Sequence, residues 1–263
     1  MDLKLTNKLA LVTGSTAGIG RAIVEALARE GARVIVNGRT QAAVDTAIAD
    51  IKAATGADVL GFAGDLGSAA AAEELGRRYP DVEILVNNLG IFEAKPFEEI
   101  PDEDWMRFFE VNVLGGVRLA RLYLPSMRQR NWGRIIFISS ESAIQIPTEM
   151  IHYGTTKTAQ LAVARGLAEA VAGTGITVNS ILPGPTKSRG VRDLVESMGK
   201  AQGLSFEQTE KEFFEKARPT SLIKRFAAPE EVASLVAYVA SPLASATTGA
   251  ALRADGGVVK SVV

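Results

Sequence analysis

The chain contains no cysteine and a single histidine, His152, among its 263 residues. Without cysteine there is no disulfide framework, no thiolate nucleophile and no cysteine-ligated metal, and we expect no metal site. Aromatic residues make up only 6% of the sequence, and the formal net charge is −1. A chain so close to neutral has no basic field to attract nucleic acid or an anionic membrane surface. Acid–base chemistry is therefore expected to use side chains other than cysteine and histidine.

Long hydrophobic runs are also lacking. No stretch reaches the roughly 20 apolar residues that a membrane-spanning helix needs, and polar residues from Asp2 to Lys8 interrupt the start, unlike a signal peptide. A hydrophobic content of 47% with 22% charged residues is typical of a globular protein. We therefore expect a cytoplasmic protein of one large domain, 1–263, with no membrane partner.

Short apolar runs alternate with longer amphipathic segments along the chain. The apolar runs predict seven strands, at 8–13, 33–37, 58–63, 82–87, 134–139, 175–182 and 249–254. Helical periodicity predicts helices at 19–31, 40–56, 68–79, 102–130, 151–172 and 229–240. Strands that are apolar on both faces and separated by helices form a parallel sheet covered on two sides. The prediction is a doubly wound α/β (Rossmann) fold, whose ligands bind beyond the carboxyl ends of the strands.

The segment 186–225 departs from this alternation, because it is polar and charged and lies between the sixth strand and the last helix. We interpret it as an insertion that surrounds the substrate. Phe206, Phe213 and Phe214 indicate helices with apolar faces in this segment. These helices either close over the substrate as a lid or simply pack on the domain, and the sequence does not choose between the two.

The segment "TGSTAGIG" (13–20) joins the first strand to the first helix. Gly14 permits a sharp turn, Gly18 the close approach of a pyrophosphate, and Gly20 tight contact between helix and sheet. The positive end of the helix dipole then favours an anion. The spacing G-x-x-x-G-x-G differs from the commonest dinucleotide fingerprint, and a plain glycine-rich turn is the alternative. The strand–turn–helix setting favours a dinucleotide.

The end of the second strand indicates which dinucleotide. NAD enzymes place a carboxylate there for the ribose 2′-hydroxyl, whereas this chain has Asn37, Gly38 and Arg39. A carboxylate would repel a 2′-phosphate, and a guanidinium can bind it through two hydrogen bonds. We therefore expect NADP(H), with Arg39 and Ser15 as phosphate contacts. NAD(H), with Arg39 as an ordinary solvated arginine, is the alternative.

Ser140, Tyr153 and Lys157 form the candidate catalytic group. Tyr153 and Lys157 are one helical turn apart and share a face, while Ser140 follows the fifth strand, at the edge where this fold places its chemistry. A phenol has a pKa near 10; a nearby ammonium stabilises the phenolate and lowers that pKa. The serine hydroxyl can hold a substrate oxygen. The alternative is a pair that merely packs or points to water.

Together these motifs closely resemble the short-chain dehydrogenase/reductase family, over essentially the full chain. The resemblance rests on "TGSTAGIG", "DL" (65–66), "NNLG" (87–90), Asn112, "SS" (139–140), "YGTTK" (153–157), "PGPTKS" (183–188) and "DGG" (255–257). Within the family, the chain is most similar to bacterial 3-oxoacyl-carrier-protein reductases.

The resemblance implies a role for each matching residue. The implied catalytic residues are Asn112, which holds a water relay, Ser140, which orients the substrate oxygen, Tyr153, the acid and base, and Lys157. The implied cofactor-binding residues are Gly14, Ser15, Thr16, Gly18, Ile19, Gly20, Arg39, Asp65, Leu66, Asn88, Gly90, Tyr153, Lys157, Pro183, Gly184 and Thr186. Without the other motifs, Asn112 would be read as a buried amide, and His152 is interpreted as a bystander.

The resulting hypothesis is an NADP(H)-dependent oxidoreductase that interconverts a ketone and a secondary alcohol. An NAD-linked dehydrogenase of the same family and a dinucleotide-binding regulator without turnover are the alternatives. The helices at 102–130 and 153–172 resemble those through which family members assemble, so the expected partner besides a small-molecule substrate is a homotetramer of the chain itself.

Overall fold

A seven-stranded parallel sheet forms the centre of the computed structural model, which describes residues 1–187 and 204–262. The strand order is β3-β2-β1-β4-β5-β6-β7, and every pairing is parallel. The predicted doubly wound α/β fold is confirmed. The strands are β1 (Leu9–Val12), β2 (Arg33–Gly38), β3 (Leu60–Ala63), β4 (Ile84–Asn87), β5 (Gly133–Ile138), β6 (Ile176–Pro183) and β7 (Ala251–Ala254).

Helices cover both faces of this sheet. The helices of the described residues are α1 (Gly18–Arg29), α2 (Gln41–Thr55), α3 (Ala69–Arg78), α4 (Asp102–Phe109), α5 (Gly115–Gln129), α6 (Ile151–Ala170), α7 (Phe206–Lys216) and α8 (Pro229–Ala240). Residues of α1, α2 and α8 share one buried apolar cluster with the sheet, and residues of α3, α5 and α6 share a second. In β1, Ala10 and Val12 belong to the first cluster and Leu11 to the second. This alternation explains why strands buried on both faces are continuously apolar.

The helical segment predicted at 102–130 is interrupted. Residues Glu110–Leu114 form a π-helical turn between α4 and α5, and the buried Asn112 lies in it. Such turns widen a helix by one residue and occur frequently at functional sites. The turn directs the Asn112 side chain to the backbone of Ile91, in the loop after β4.

The order of the sheet reverses between β1 and β4, because the chain runs outward from β1 through β2 and β3 and then returns. In doubly wound folds the loops on either side of such a point separate and leave a crevice at the carboxyl ends of the strands. The loops after β1 and β4 border the cavity described below.

Part of the predicted insertion, 186–225, falls at 188–203 and lies outside the described residues. The described remainder contains α7, which begins with a capping box at Ser205 and Gln208. Phe214 is buried against Phe226, and Phe206 and Phe213 pack against the same pair. The predicted apolar helix face is therefore present.

Candidate active site

A cavity of about 650 Å³ opens at the carboxyl edge of the sheet. The loops after β1, β4, β5 and β6 line it, together with the first two turns of α6 and residues in and after α7. Most of the predicted site residues border this space: Gly14, Gly18, Ile19, Gly20, Asn88, Gly90, Ser140, Tyr153, Lys157, Pro183, Gly184 and Thr186. Residues from four strand ends, from the first turn of α1 and from the first two turns of α6 are thus brought together, as the fold prediction requires.

The other predicted site residues lie outside that lining: Ser15, Thr16, Arg39, Asp65, Leu66 and Asn112. Gly38 pairs with Ala63 across β2 and β3, so Arg39 and Asp65 follow neighbouring strand ends. Both side chains are exposed, whereas Leu66 is buried. These positions continue the site along the sheet edge, beyond the enclosed cavity.

The glycine-rich loop has the backbone geometry that its sequence predicts. Gly14 and Gly18 both have φ of 58°, in the left-handed region that glycine adopts without strain. A Cβ atom on Gly20 would lie 2.6 Å from the carbonyl oxygen of Gly14, so only glycine fits there. Helix α1 begins at Gly18 and has no acidic residue in its first turn. Its N-terminus therefore keeps the positive potential that favours an anion.

Asn37, at the end of β2, ties this loop to the sheet. Its Oδ1 accepts a hydrogen bond from Gly14 N at 3.0 Å, and its backbone oxygen accepts one from Ser15 N at 2.8 Å. The Ser15 hydroxyl donates to Val12 O at 2.7 Å and accepts from Asn37 N at 2.9 Å. Ser15 is fully buried, so the structure places it behind the loop, where it supports the turn. Its predicted contact with a phosphate stays a prediction.

Arg39 lies at the surface just beyond β2. Within the described part of the chain its guanidinium makes no ion pair or hydrogen bond. The nearby side chain of Asn37 is uncharged, and its Nδ2 donates to Phe62 O and Gly64 O. A free guanidinium next to a neutral strand end is suited to binding a phosphate group.

Asn88 connects the loops after β1 and β4. Its Nδ2 donates to Thr13 O at 2.9 Å and to Gly14 O at 3.1 Å, and its backbone N donates to Thr13 Oγ1. The same amide would lie 2.5 Å from a Cβ on Gly20. Asn88 thus holds the two loops that border the crevice at a fixed separation.

The candidate catalytic residues meet at the floor of the cavity. Ser140 directly follows β5, and Tyr153 and Lys157 are in the first two turns of α6. The Nζ atom of Lys157 lies 5.6 Å from the centre of the Tyr153 ring. Ser140 Oγ donates to the carboxylate of Glu141 at 2.5 Å and accepts from Ser142 N at 3.1 Å. The three side chains predicted to act together therefore do share one space.

The electrostatics of this group differ from the prediction. Burial raises the pKa of Tyr153 above its usual value; a hydrogen bond with Ser140 acts in the opposite direction, and the charge of Glu141 raises the pKa further. Burial also lowers the pKa of Lys157 from 10.5 to about 8. The expected net lowering of the Tyr153 pKa is wrong for this structure, because desolvation of the phenolate outweighs the hydrogen bond with Ser140 and the charge of Arg218.

Gln160 joins Lys157 to Asn112 beneath the floor. Lys157 Nζ donates to Ile138 O at 2.9 Å and to Gln160 Oε1 at 3.3 Å. The Nε2 of Gln160 donates to the backbone oxygen of Asn112, and the Asn112 carboxamide bonds Ile91 and Thr156. The backbone oxygen of Asn112 therefore accepts a hydrogen bond from an amide side chain of α6, and the implied water relay at Asn112 stays a prediction.

The loop after β6 closes the far wall. A Cβ on Gly184 would lie 2.5 Å from Asp255 O, so a side chain there would collide with backbone. Thr186 Oγ1 donates to Gly184 O at 2.9 Å, and Thr186 forms an isolated bridge with Ala227. Pro183, Gly184 and Thr186 are thereby fixed beside the cavity, and their implied place next to the nicotinamide stays a prediction.

The lining also includes residues that were not predicted as site residues, among them Glu141, Arg218 and Phe213. The sequence does carry a signal for Glu141, because a residue that directly follows Ser140 must lie close to the site. Arg218 has no sequence signal, because it reaches Glu141 from 77 residues away. Phe213 was assigned to an apolar helix face, and it also borders the cavity.

His152 lies beside the site without lining it. Its ring is fully buried, with its centre 4.1 Å from that of Phe108, and it also contacts Trp105 edge-on. Burial lowers the pKa of His152, so the ring is neutral at neutral pH. This placement agrees with its interpretation as a bystander.

Residues 8–199 match the family model described as short chain dehydrogenase. The chain belongs to this family. Uncharacterized oxidoreductase YvaG of Bacillus subtilis (strain 168) is 50% identical to it over 263 residues, covering 100% of both chains. The 3-oxoacyl-[acyl-carrier-protein] reductase FabG of Aquifex aeolicus (strain VF5) is 32% identical over 262 residues, covering 98% of this chain and 100% of FabG.

A solved structure extends the comparison to three dimensions. L-sorbose reductase from Gluconobacter frateurii, crystallised with NADPH and L-sorbose, is 32% identical, with a TM-score of 0.93 and coverage of 100% of each chain. The predicted family and single-domain Rossmann fold are confirmed. This short-chain dehydrogenase therefore belongs to an oxidoreductase family. One of its solved relatives, L-sorbose reductase, was crystallised with NADPH, a nicotinamide dinucleotide.

The residues of this short-chain dehydrogenase fit such a cofactor. The loop after β1 borders the cavity with Gly14, Gly18 and Gly20, whose lack of side chains lets a ligand approach the backbone closely. The N-terminus of α1, which has no acidic residue in its first turn, suits the anionic pyrophosphate, and the Lys157 amine borders the same cavity. Over residues 1–187 and 204–262, no helix is long and apolar enough to cross a membrane, and no acidic, histidine or cysteine cluster suits a metal ion.

Proposed function

We propose that the protein is an NADP(H)-dependent oxidoreductase that interconverts a ketone and a secondary alcohol, with Tyr153 as the general acid and base. The observation that carries this proposal is the convergence of Ser140, Tyr153 and Lys157 on the same cavity as the glycine-rich loop. This convergence supports the proposal, because it would bring a proton-transferring phenol and a dinucleotide together in one site.

The protonation state of Tyr153 suits the reductive direction. NADPH, when bound, supplies the hydride that reduces the carbonyl carbon. Because burial raises the pKa of Tyr153, the phenol keeps its proton at neutral pH and can donate it to the carbonyl oxygen. In the oxidative direction the phenolate accepts the alcohol proton, so the oxidative rate rises with pH.

Lys157 stabilises the phenolate that Tyr153 leaves behind. With a pKa of about 8 the amine is mostly cationic at neutral pH, and its charge lies within reach of the ring. Asn112 and Gln160 hold this amine from below through the contacts described above. Ser140 restricts the position of the substrate oxygen next to Tyr153.

The preference for NADP(H) over NAD(H) is supported by the end of β2. Asn37 is neutral, so no carboxylate at this strand end repels a 2′-phosphate. Its side chain accepts a hydrogen bond from Gly14 N in the loop and donates one to Phe62 O in β3. Arg39 lies one residue past the strand with its guanidinium exposed. A guanidinium in this position can bind the 2′-phosphate through two hydrogen bonds and therefore favours NADP(H) over NAD(H).

The geometry favours an enzyme over a dinucleotide-binding regulator. Asn112, Ser140 and Lys157 are each held by specific hydrogen bonds, and Tyr153 borders the same cavity as Ser140 and Lys157. A protein that only bound a dinucleotide would not need a buried amine beside a phenol.

The direct test is a panel of neutral ketones and secondary alcohols, assayed with NADPH or NADP and with NADH or NAD. The absorbance of the reduced nicotinamide reports the rate. We expect reduction of at least one ketone with NADPH, at a kcat/KM at least about tenfold above that with NADH. No turnover with any pair contradicts the enzyme; equal use of both cofactors contradicts the NADP preference.

Assembly into a homotetramer is part of the proposal. The segment from α4 to α5 exposes large apolar residues, with Met106 70%, Leu114 40% and Leu122 37% exposed. A second copy that covered them would remove apolar surface from water. Light scattering of the purified protein is expected to give four times the 27.8 kDa mass of the chain, and a monomer contradicts this assembly.

A further inference from the structure

One side of the cavity contains an arginine, Arg218, that is paired with the carboxylate of Glu141. Among the described residues, the charged side chains that line the cavity are Glu141, Glu149, Lys157 and Arg218. Lys157 lies at the floor, held by Ile138 O and Gln160. Glu141, Glu149 and Arg218 come from three separate segments and meet beyond Ser140.

Glu141 is a buried carboxylate with defined partners. Only 5% of the residue is exposed. Its Oε2 accepts hydrogen bonds from Ser140 Oγ at 2.5 Å, Ser142 N at 2.8 Å and Ser142 Oγ at 3.1 Å. These bonds fix the position of the carboxylate beside Ser140.

Arg218 completes this arrangement from the residues after α7. Its Nε donates to Glu141 Oε1 at 3.2 Å, and its Nη1 donates to Glu149 Oε1 at 3.4 Å. The Arg218 side chain is 13% exposed, compared with 51% for that of Glu149. Two carboxylates therefore face one guanidinium, and the buried one, Glu141, is its stronger partner.

A substrate carboxylate placed next to these groups would meet an unfavourable charge. It would have to compete with Glu141 for Arg218, and its negative charge would lie close to that of the buried Glu141 carboxylate. The surrounding wall includes Phe92 and Phe213, and apolar walls strengthen charge interactions by excluding water. A ketone with hydroxyl or amide groups carries no net charge and avoids this repulsion.

We propose that the cavity selects neutral ketones and rejects ketones that carry a carboxylate near the carbonyl, and that Glu141 determines this selection by occupying Arg218. The inference rests on the proposed ketone reduction and adds the substrate class to it. It concerns only the charge of the substrate, so hydroxylated, amide and simple ketones all belong to the accepted class.

The test compares two ketones of the same shape. Acetoacetamide and acetoacetate differ in an amide and a carboxylate two bonds from the carbonyl. With NADPH saturating, we expect kcat/KM for acetoacetamide to exceed that for acetoacetate by at least about tenfold in the wild-type protein. The ratio of the two values is the readout, since a general loss of activity in a variant affects both substrates alike.

Variants separate the role of Glu141 from a merely structural one. Glu141→Gln keeps the size and an acceptor for Ser140 but frees Arg218, and we expect it to lower the ratio by about tenfold. Glu149→Gln is the matched control: it removes the exposed partner, whose charge water screens, and is expected to change the ratio by less than about twofold. Arg218→Gln removes the guanidinium and must not lower the ratio.

The outcomes are distinguishable from failure of the proposed function. Reduction of acetoacetate as fast as acetoacetamide, or an unchanged ratio in Glu141→Gln with NADPH still bound, overturns the inference alone. If no ketone is reduced with either cofactor, the proposed function and the inference fall together. A ratio lowered by Glu141→Gln and kept by Glu149→Gln supports it.

Discussion

The amine of Lys157 lies beside the Tyr153 ring, with its Nζ atom 5.6 Å from the ring centre. Its hydrogen bonds go to Ile138 O and Gln160 Oε1 and not to the phenol. The two residues are one helical turn apart on α6. Burial raises the pKa of the phenol and lowers that of the amine. The pair is therefore arranged so that proton donation from Tyr153 creates an anion beside an existing cation.

The pH dependence of reduction follows from the amine. The pKa of Lys157 is lowered to about 8, so the positive charge is present below that pH and is lost as pH rises through it. We expect kcat/KM for NADPH, which reports groups of the free enzyme, to be level at neutral pH and to fall above about pH 8. Deuterated NADPH shows whether hydride transfer limits the rate. A level profile through the alkaline range, with a full isotope effect, contradicts this role.

Gln160→Glu tests whether the fall in kcat/KM at alkaline pH, called the alkaline limb below, reflects the titration of Lys157. A carboxylate would replace the amide oxygen that lies 3.3 Å from Lys157 Nζ. An opposite charge this close favours the ammonium and raises its pKa by about one unit or more. We expect the fall in kcat/KM to move to higher pH by the same amount. Gln129→Glu, at the exposed end of α5, adds the same charge far away and should leave the limb in place. An unmoved limb in Gln160→Glu would assign it to another group.

Arg39→Ala addresses the choice of cofactor. The guanidinium is proposed to bind the 2′-phosphate through charge-assisted hydrogen bonds, so its loss should raise KM for NADPH about tenfold or more. KM for NADH, which has no such phosphate, should change by less than about twofold. Arg33→Ala is the control, since Arg33 begins the same strand at its other end and is also exposed. Equal increases for both cofactors in Arg39→Ala would count against a phosphate contact.

The motif residues of the site could be predicted from sequence because their positions follow from topology. Once the strands were recognised, Gly14, Asn88, Ser140 and Gly184 had to follow neighbouring strand ends at one edge of the sheet. The contact between Glu141 and Arg218 could not be predicted, because no periodicity relates residues on separate loops. The direction of the Tyr153 pKa also escaped prediction, since it depends on how much water the folded cavity excludes.

Gly20→Ala tests the packing of the phosphate loop. The added Cβ would lie 2.6 Å from Gly14 O and 2.9 Å from Ser15 Cα, and both are backbone atoms that cannot yield easily. Overpacking of this kind costs about 1–3 kcal/mol, which lowers Tm by roughly 2–10 °C. We also expect weaker binding of both NADPH and NADH, because the loop serves them alike.

Gly166→Ala is the matched control for this substitution. Gly166 lies in α6, and a Cβ there meets no atom within 4 Å. Alanine in a helix interior is favoured over glycine by up to about 1 kcal/mol, so Tm should stay level or rise. Thermal unfolding followed by circular dichroism distinguishes the two variants; similar Tm changes would show that the close contacts at Gly20 relax at no cost.

The continuous apolar runs made the fold predictable from the sequence, whereas local departures from regular helix were not predictable. Runs such as Val34–Val36 in β2 are buried on both faces, and only a sheet covered by helices on two sides accommodates them. The π-helical turn at Glu110–Leu114 was not predicted, since its residues continue the helical pattern on either side. What sets it apart is the contact of Asn112 with Ile91, which exists only after the chain has folded.

Replacing Tyr153 with phenylalanine tests the central claim most directly, because it removes the phenolic proton and keeps the ring. Two quantities are measured on the same preparation: the Kd for NADPH from its fluorescence, and the single-turnover rate of reduction of the best ketone in the panel. The account predicts a Kd within about threefold of wild type and a rate lower by roughly 10²–10⁴-fold, the usual contribution of a positioned acid. A Tyr153→Phe protein that binds NADPH normally and retains more than about a tenth of the wild-type rate contradicts it.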